Sequence, residues 1–288
     1  MASVNGAPLL WRCGPAVLPC GLRTLVMGIV NVTPDSFSDG GELPDAEAAT
    51  KRALGMVLDG ADILDIGGES TRPGSAEVPA DVELERVMPV IERLREETEV
   101  PLSIDTRKAE VAVEALRAGA TIVNDVSAGA DPGMFDAVRG SGAGMVLMHM
   151  QGEPRTMQAQ PHYDDVVAEV HEFLRQRADD AVRAGIDRDR LCIDPGIGFG
   201  KALEHNLLLV RDVRVLLDLG LPVLVGPSRK RFLGTILGTE VGDRLEGTAA
   251  TVAWLAAMGV HVVRVHDVKE MARVTRVIDA ISKAGTGP

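Results

Sequence analysis

Residues 24–35 read TLVMGIVNVTPD. Thr24–Asn31 is a short run rich in β-branched residues that ends in polar sequence. The residues after it decide between two folds. An open, doubly wound sheet usually places a glycine-rich phosphate turn directly after its first strand. Here that turn is Asn31-Val32-Thr33-Pro34-Asp35, which carries no such fingerprint.

Similar runs recur outward along the chain at Asp62–Ile66, Pro101–Asp105, Thr121–Asn124, Gly144–His149, Arg190–Asp194, Pro222–Gly226 and His261–His266. Longer stretches with helical periodicity lie between them. In the first, Ala46, Ala49, Ala53, Met56, Val57 and Gly60 share one face; in the last, Val268, Met271, Thr275, Ile278 and Ile281 do. Strands alternating with helices imply a parallel sheet with right-handed crossovers. Eight such units predict an α/β fold of the (β/α)8 TIM-barrel type, and 288 residues suit the ~250 usual for one. No low-complexity linker divides the chain, so residues 24–285 form a single barrel domain. Residues 1–23 form an arm or hairpin across its bottom.

Composition narrows the function. A formal charge of -12 argues against a nucleic-acid partner, although a local site on an acidic protein can still be basic. Cys13, Cys20 and Cys192 show neither zinc-ligand nor redox spacing, which predicts reduced structural thiols. No uncharged apolar run reaches the ~18 residues of a membrane span, and the N-terminus lacks the pattern of a signal peptide. No membrane association and a cytoplasmic location are the expectation.

In a parallel barrel, chemistry gathers at the C-terminal ends of the strands. The ends here carry Asn31, Asp65, Asp105, Asn124, His149, Asp194, Ser228 with Arg229 and Lys230, and Arg264 with His266. A lone strand-end Asp is more often a cap or turn residue, but eight strands deliver these groups to one mouth. Asp105, Asn124 and Asp194 suit a flat heterocycle with an amino group beside a ring N–H, because one carboxylate accepts both hydrogens. Lys230, Arg264, His266 and Arg72 suit phosphate oxygens, with Asn31 placed to orient a phosphate or a hydrated magnesium ion. The loops 31–41 (NVTPDSFSDGG) and 67–74 (GGESTRPG) are of a kind that closes over a reacting centre.

The segments MGIVNVTPDSFSDGG (27–41), DILDIGGESTRPG (62–74), SIDTRKAEV (103–111), IVNDVSAG (122–129), VLMHMQGEPRTMQ (146–158), DPGIGFGK (194–201), LVGPSRKRFLG (224–234) and VVRVHDV (262–268) resemble the dihydropteroate synthase family in content and order. The resemblance implies condensation of 6-hydroxymethyl-7,8-dihydropterin diphosphate with p-aminobenzoate, with Mg2+ as cofactor and sulfonamides as competitive inhibitors. It implies that Asp105, Asn124, Asp194 and Lys230 hold the pterin, that Asn31 ligates magnesium, and that Arg264 and His266 bind diphosphate. Thr71, Arg72, Pro73, Asp35, Phe37 and Phe199 would surround p-aminobenzoate. Catalytic roles would fall to Asp35, Asp65, Asp105 and Lys230.

Other signals carry less. DPGIGFGK lacks the first glycine and the Ser/Thr of a Walker loop, with Pro195 and Ala202 in those places. His149, His162, His171 and His205 share no metal-ligand spacing. The uncharged segment 248–259 (TAATVAWLAAMG) predicts a covered helix face, and the resemblance implies a homodimer there. Two rival readings remain: a pterin-binding methyltransferase, which needs no diphosphate site, and a pterin-binding scaffold without turnover, which needs neither Asn31 nor the cations.

Overall fold

The computed structural model describes residues 9–33, 46–70, 75–153 and 155–285. Two short strands, β1 (Leu9–Cys13) and β2 (Ala16–Cys20), form an antiparallel hairpin in which Trp11 faces Leu18 and Cys13 faces Ala16. Its two-residue turn starts with Gly14 at φ 61°, a conformation that L side chains rarely adopt.

The barrel follows. Its strands are β3 (Leu25–Asn31), β4 (Ile63–Gly67), β5 (Leu102–Asp105), β6 (Ile122–Asp125), β7 (Gly144–Met148), β8 (Leu191–Asp194), β9 (Leu224–Val225) and β10 (Val262–Val265). All eight lie within a residue or two of the runs read from sequence. They pair in parallel in the order β8-β7-β6-β5-β4-β3-β10-β9. The ring closes between β8 and β9 through a single parallel bridge, Ile193 to Val223. The covering helices are α1 (Ala46–Asp59), α2 (Ala80–Glu97), α3 (Ala109–Arg117), α4 (Met134–Ser141), α5 (Val166–Arg183), α6 (Leu203–Arg211), α7 (Arg214–Leu217), α8 (Arg231–Leu237), α9 (Leu245–Ala257) and α10 (Val268–Lys283).

Side chains alternate across each strand, so each strand feeds two separate cores. Val26, Val30, Leu64, Ile66, Leu102, Ile104, Val123, Ile193, Val263 and Val265 point outward and pack under the helices. Leu25, Met27, Ile63, Ile122, Val146, Cys192, Leu224 and Val262 point inward at the lower end, and Trp11, Cys13 and Cys20 of the hairpin pack onto them. Trp11 is fully buried and its indole Nε1 donates to the Arg190 carbonyl at 3.0 Å. The hairpin is thus an apolar plug for the bottom of the barrel, and only the other end is left for polar chemistry. All three cysteines are free and buried. Among the described residues, no helix is long and apolar enough to cross a membrane.

Candidate active site

The same alternation brings the polar strand ends together. Counting in twos from the inward apolar layer gives Met27, Ile29, Asn31 on β3, and Ile63, Asp65, Gly67 on β4. It gives Ser103, Asp105 on β5, Ile122, Asn124 on β6, and Cys192, Asp194 on β8. On β10 it gives Val262 and Arg264, with His266 just beyond. Asp125 falls on the opposite face, where it accepts bonds from Ser127 and Gly129 and shapes the next turn.

The centre of the mouth is an ion cluster. Arg264 donates through Nε to Asp65 Oδ2 at 2.5 Å and through Nη2 to Asp105 Oδ2 at 2.6 Å. Asn124 Nδ2 also donates to Asp65 Oδ2, at 3.0 Å. The two remaining carboxylate oxygens, Asp65 Oδ1 and Asp105 Oδ1, are buried and have no protein partner among the described residues. Buried acceptors of this kind are costly unless something donates to them. Burial pushes the Asp105 carboxyl up to about 7, with Arg264 opposing. Arg264, which the family resemblance implies as a diphosphate binder, pairs here with the two carboxylates through Nε and Nη2. Two anions facing one cation in a closed barrel interior draw the guanidinium inward.

Asp194 sits across the mouth. Its Oδ1 accepts from Gly196 N at 2.7 Å. Burial raises its pKa to about 6, opposed first by that N–H and then by the charges of Lys230, Arg264 and Lys201. Lys230 extends over the face of Phe199, its Nζ 4.1 Å from the ring centroid. Cation–π contact at this range favours a fixed ammonium position.

The loop carrying Lys230 is held in an unusual conformation. Arg229 adopts a positive φ of 56°, which costs a side-chain-bearing residue energy. Contacts hold it there: Thr248 Oγ1 accepts from Arg229 N, Arg244 Nη1 donates to Arg229 O, and the Arg229 guanidinium pairs with Asp267. Ser228 Oγ accepts from His266 N at 3.2 Å and lies 3.0 Å from His266 Nδ1. The loops after β9 and β10 are therefore tied together.

Asp35, Phe37, Thr71, Arg72 and Pro73 lie outside the described residues. The base of the second loop is described, and a buried ion network holds it. Lys108 bridges Glu69 and the fully buried Glu83 of α2, while Arg107 pairs with Glu69 and Glu77. Sequence reasoning missed this network, because a Glu on an amphipathic helix ordinarily faces water. It also passed over Lys201, whose contacts with His149 cross 52 residues of chain.

Residues 27–266 match the family model described as Pterin binding enzyme. The chain is 46% identical over 259 residues to dihydropteroate synthase of Escherichia coli K12, which spans 90% of this chain and 92% of that one. Xanthomonas albilineans dihydropteroate synthase with 4-aminobenzoic acid matches with a TM-score of 0.90 and 48% identity, covering 96% of this chain and 98% of that one. That protein has also been solved with 7,8-dihydropteroate, matching with a TM-score of 0.86 at 47% identity over 94% of this chain and 98% of that one. The Yersinia pestis enzyme in a sulfonamide drug complex gives a TM-score of 0.91 and 42% identity over 96% of this chain and all of that one.

Proposed function

The chain belongs to the pterin-binding enzyme family, and on that premise we infer that it has dihydropteroate synthase activity, a transferase step of folate biosynthesis. The reaction joins 6-hydroxymethyl-7,8-dihydropterin diphosphate to p-aminobenzoate and releases diphosphate. The observation that carries this reading is the inward set Asp65, Asp105, Asn124 and Asp194, with Arg264 among them and Lys230 fixed over Phe199. A pterin-binding protein without diphosphate chemistry would not need the tethered Ser228–His266 and Lys230 loops beside the ring pocket.

Each residue then has a role that follows from its surroundings. Asp194, with one oxygen already steadied by Gly196 N, accepts from the pterin amino group and ring N–H. Asn124 and the free oxygens of Asp65 and Asp105 complete the polar wall. Diphosphate is a poor leaving group until its charge is offset, and Arg264, His266 and Lys230, with Arg72 of the second loop, supply charge and hydrogen bonds for that. As it leaves, the pterin methylene becomes cationic, and the carboxylate of Asp105 stabilises it. The aromatic amine then needs only placement, so departure precedes attack and no covalent enzyme intermediate forms.

A magnesium ion belongs to the proposal, and the residues fit one that arrives with the substrate. Among the described residues no three His, Cys, Asp or Glu gather as a metal cage. Asn31 offers one amide oxygen at the mouth, and Mg2+ keeps several waters and is commonly held through substrate phosphates. When bound, the ion would offset charge on the diphosphate.

A homodimer is also proposed. On α9 Trp254 is 46% exposed, with its indole against the Val210 carbonyl of α6, where Leu207 is 41% exposed. Paired copies would cover this apolar surface. Sedimentation showing only a ~30 kDa species at micromolar concentration would count against it. The three buried thiols suit the reducing cytoplasm.

The test is diphosphate release by the purified protein with the pterin diphosphate and Mg2+, with and without p-aminobenzoate. Release coupled to dihydropteroate formation, suppressed competitively by a sulfonamide, is the expected result. Tight pterin binding without release would favour the scaffold reading.

A further inference from the structure

Lys201 is buried at 3% exposure, and its ammonium has three acceptors around it. Nζ lies 2.9 Å from His149 Nδ1, 2.9 Å from the Phe199 carbonyl and 3.4 Å from the His149 carbonyl. An ammonium only donates, so Nδ1 accepts and the ring proton sits on Nε2. The imidazole packs edge-on against Phe173 at 4.8 Å.

These contacts join two walls of the mouth. His149 follows β7, and its N–H donates to the Asp194 carbonyl of β8 at 2.9 Å. Gly196 turns over His149 at φ 67°, so closely that any Cβ would overlap the His149 carbonyl. Phe199, the ring under Lys230, is held through its own carbonyl by Lys201.

We propose that Lys201 is a positioning residue of the ring pocket: its ammonium ties His149 to Phe199 across the loops after β7 and β8, and its charge acts on Asp194. The proposal rests on the pterin reading of the mouth. Carbonyls and a neutral imidazole solvate an ammonium without neutralising it, so a buried lysine here still calls for an anion.

The charged groups around the pair can be named. Toward Lys201 face His149 from the loop after β7, Asp194 from β8 and Lys230 from the loop after β9, with Tyr163 behind His149. Toward Asp194 face Lys230, Arg264 and Lys201. Burial pulls Lys201 down to about 7, with Asp194 opposing and Lys230 assisting. His149 is pulled down to about 3, by burial and then by Lys201, and stays neutral. Removing the Lys201 charge therefore makes Asp194 easier to protonate, and a protonated Asp194 cannot accept both pterin hydrogens.

The experiment is the affinity of 6-hydroxymethylpterin, which carries no diphosphate, measured by fluorescence from pH 5.5 to 8.5. Wild type, Lys201→Met, Lys201→Gln and Lys201→Arg are compared, with melting temperatures as a folding control. In the Met and Gln variants the acid midpoint of binding should move up by about one pH unit, about tenfold weaker binding on that limb. Slackened loops add a loss that does not vary with pH, and Lys201→Arg should restore the midpoint. An unmoved midpoint in both uncharged variants would overturn the proposal and leave Lys201 a packing residue. If those variants do not fold, 15N-lysine NMR of the wild type decides: pterin binding must raise the pH at which Lys201 Nζ titrates, and no change overturns the idea. Wild-type protein that fails to bind the pterin at all would instead sink the functional reading.

Discussion

Arg264 is paired with Asp65 and Asp105 at once, at 2.5 Å and 2.6 Å, so one guanidinium bridges strand ends 199 and 159 residues away in the chain. The same fork thus sets the position of these two carboxylates at the ring pocket, and it is their main charge compensation.

Arg264→Ala should therefore do more than weaken phosphate binding. It strands two buried carboxylates, and breaking a buried pair from one side typically costs about 3–5 kcal/mol. Denaturant unfolding should show this loss, and affinity for a bare pterin should fall along with turnover. Lys at this position keeps charge but loses the bidentate fork, so Arg264→Lys should recover stability only in part. An alanine variant as stable as wild type would show that the cluster reorganises freely.

Asp194→Asn removes one acceptor site and introduces an amide N–H facing the donors of the ring. A buried mismatch of this kind costs about 2–4 kcal/mol, or roughly 30- to 1000-fold in pterin affinity. Binding titrations with a pterin lacking diphosphate would measure it directly. The melting temperature should fall only modestly, because among the described residues Asp194 carries no side-chain ion pair within hydrogen-bonding distance and its charge reaches the buried Lys201 from farther away.

Trp11→Ala separates the two ends of the barrel. It empties a fully buried site and removes the bond to the Arg190 carbonyl, which should cost about 3–5 kcal/mol of stability. The mouth lies at the opposite ends of the strands. Below the melting transition, the Michaelis constants for both substrates should stay near wild type; a large rise in either would mean the plug is coupled to the site.

His261 should contribute to acid lability. Its Nδ1 accepts from Val223 N at 3.0 Å, and burial pulls its pKa from 6.5 down to about 4. Between those values the unfolded chain binds the proton and the folded one does not. The stabilising effect is full above pH 6.5 and is lost as pH falls toward 4, on the order of 3 kcal/mol. Asp105 and Asp194, raised by burial, pull the other way over the same range. The informative quantity is thus the difference: stability of His261→Gln should fall less steeply from pH 6.5 to 4 than that of the wild type.

The barrel and most of its polar mouth could be read from residue pattern alone, because both follow from local periodicity. A strand-end Asp two places after an inward apolar residue must face the same interior, as Ile63 and Asp65 or Cys192 and Asp194 do. What escaped was pairing across the mouth. Nothing local shows that Arg264 reaches two carboxylates on other strands. Lys201 and His149, each ordinary in its own segment, acquire meaning only when two loops are laid side by side. Glu83 lies on an amphipathic helix, where a carboxylate ordinarily faces water, and only its contact with Lys108 accounts for its burial.

The single bridge between β8 and β9 gives the barrel a seam, since elsewhere neighbouring strands share longer ladders. Backbone amides beside Ile193 and Val223 are therefore the ones to exchange with deuterated solvent ahead of the rest of the ring. Asp194 and Phe199 hang from one lip of that seam and Lys230 from the other. Breathing along it would widen the ring pocket without unzipping any full strand pair, and an occupied pocket would stitch the lips and slow the exchange.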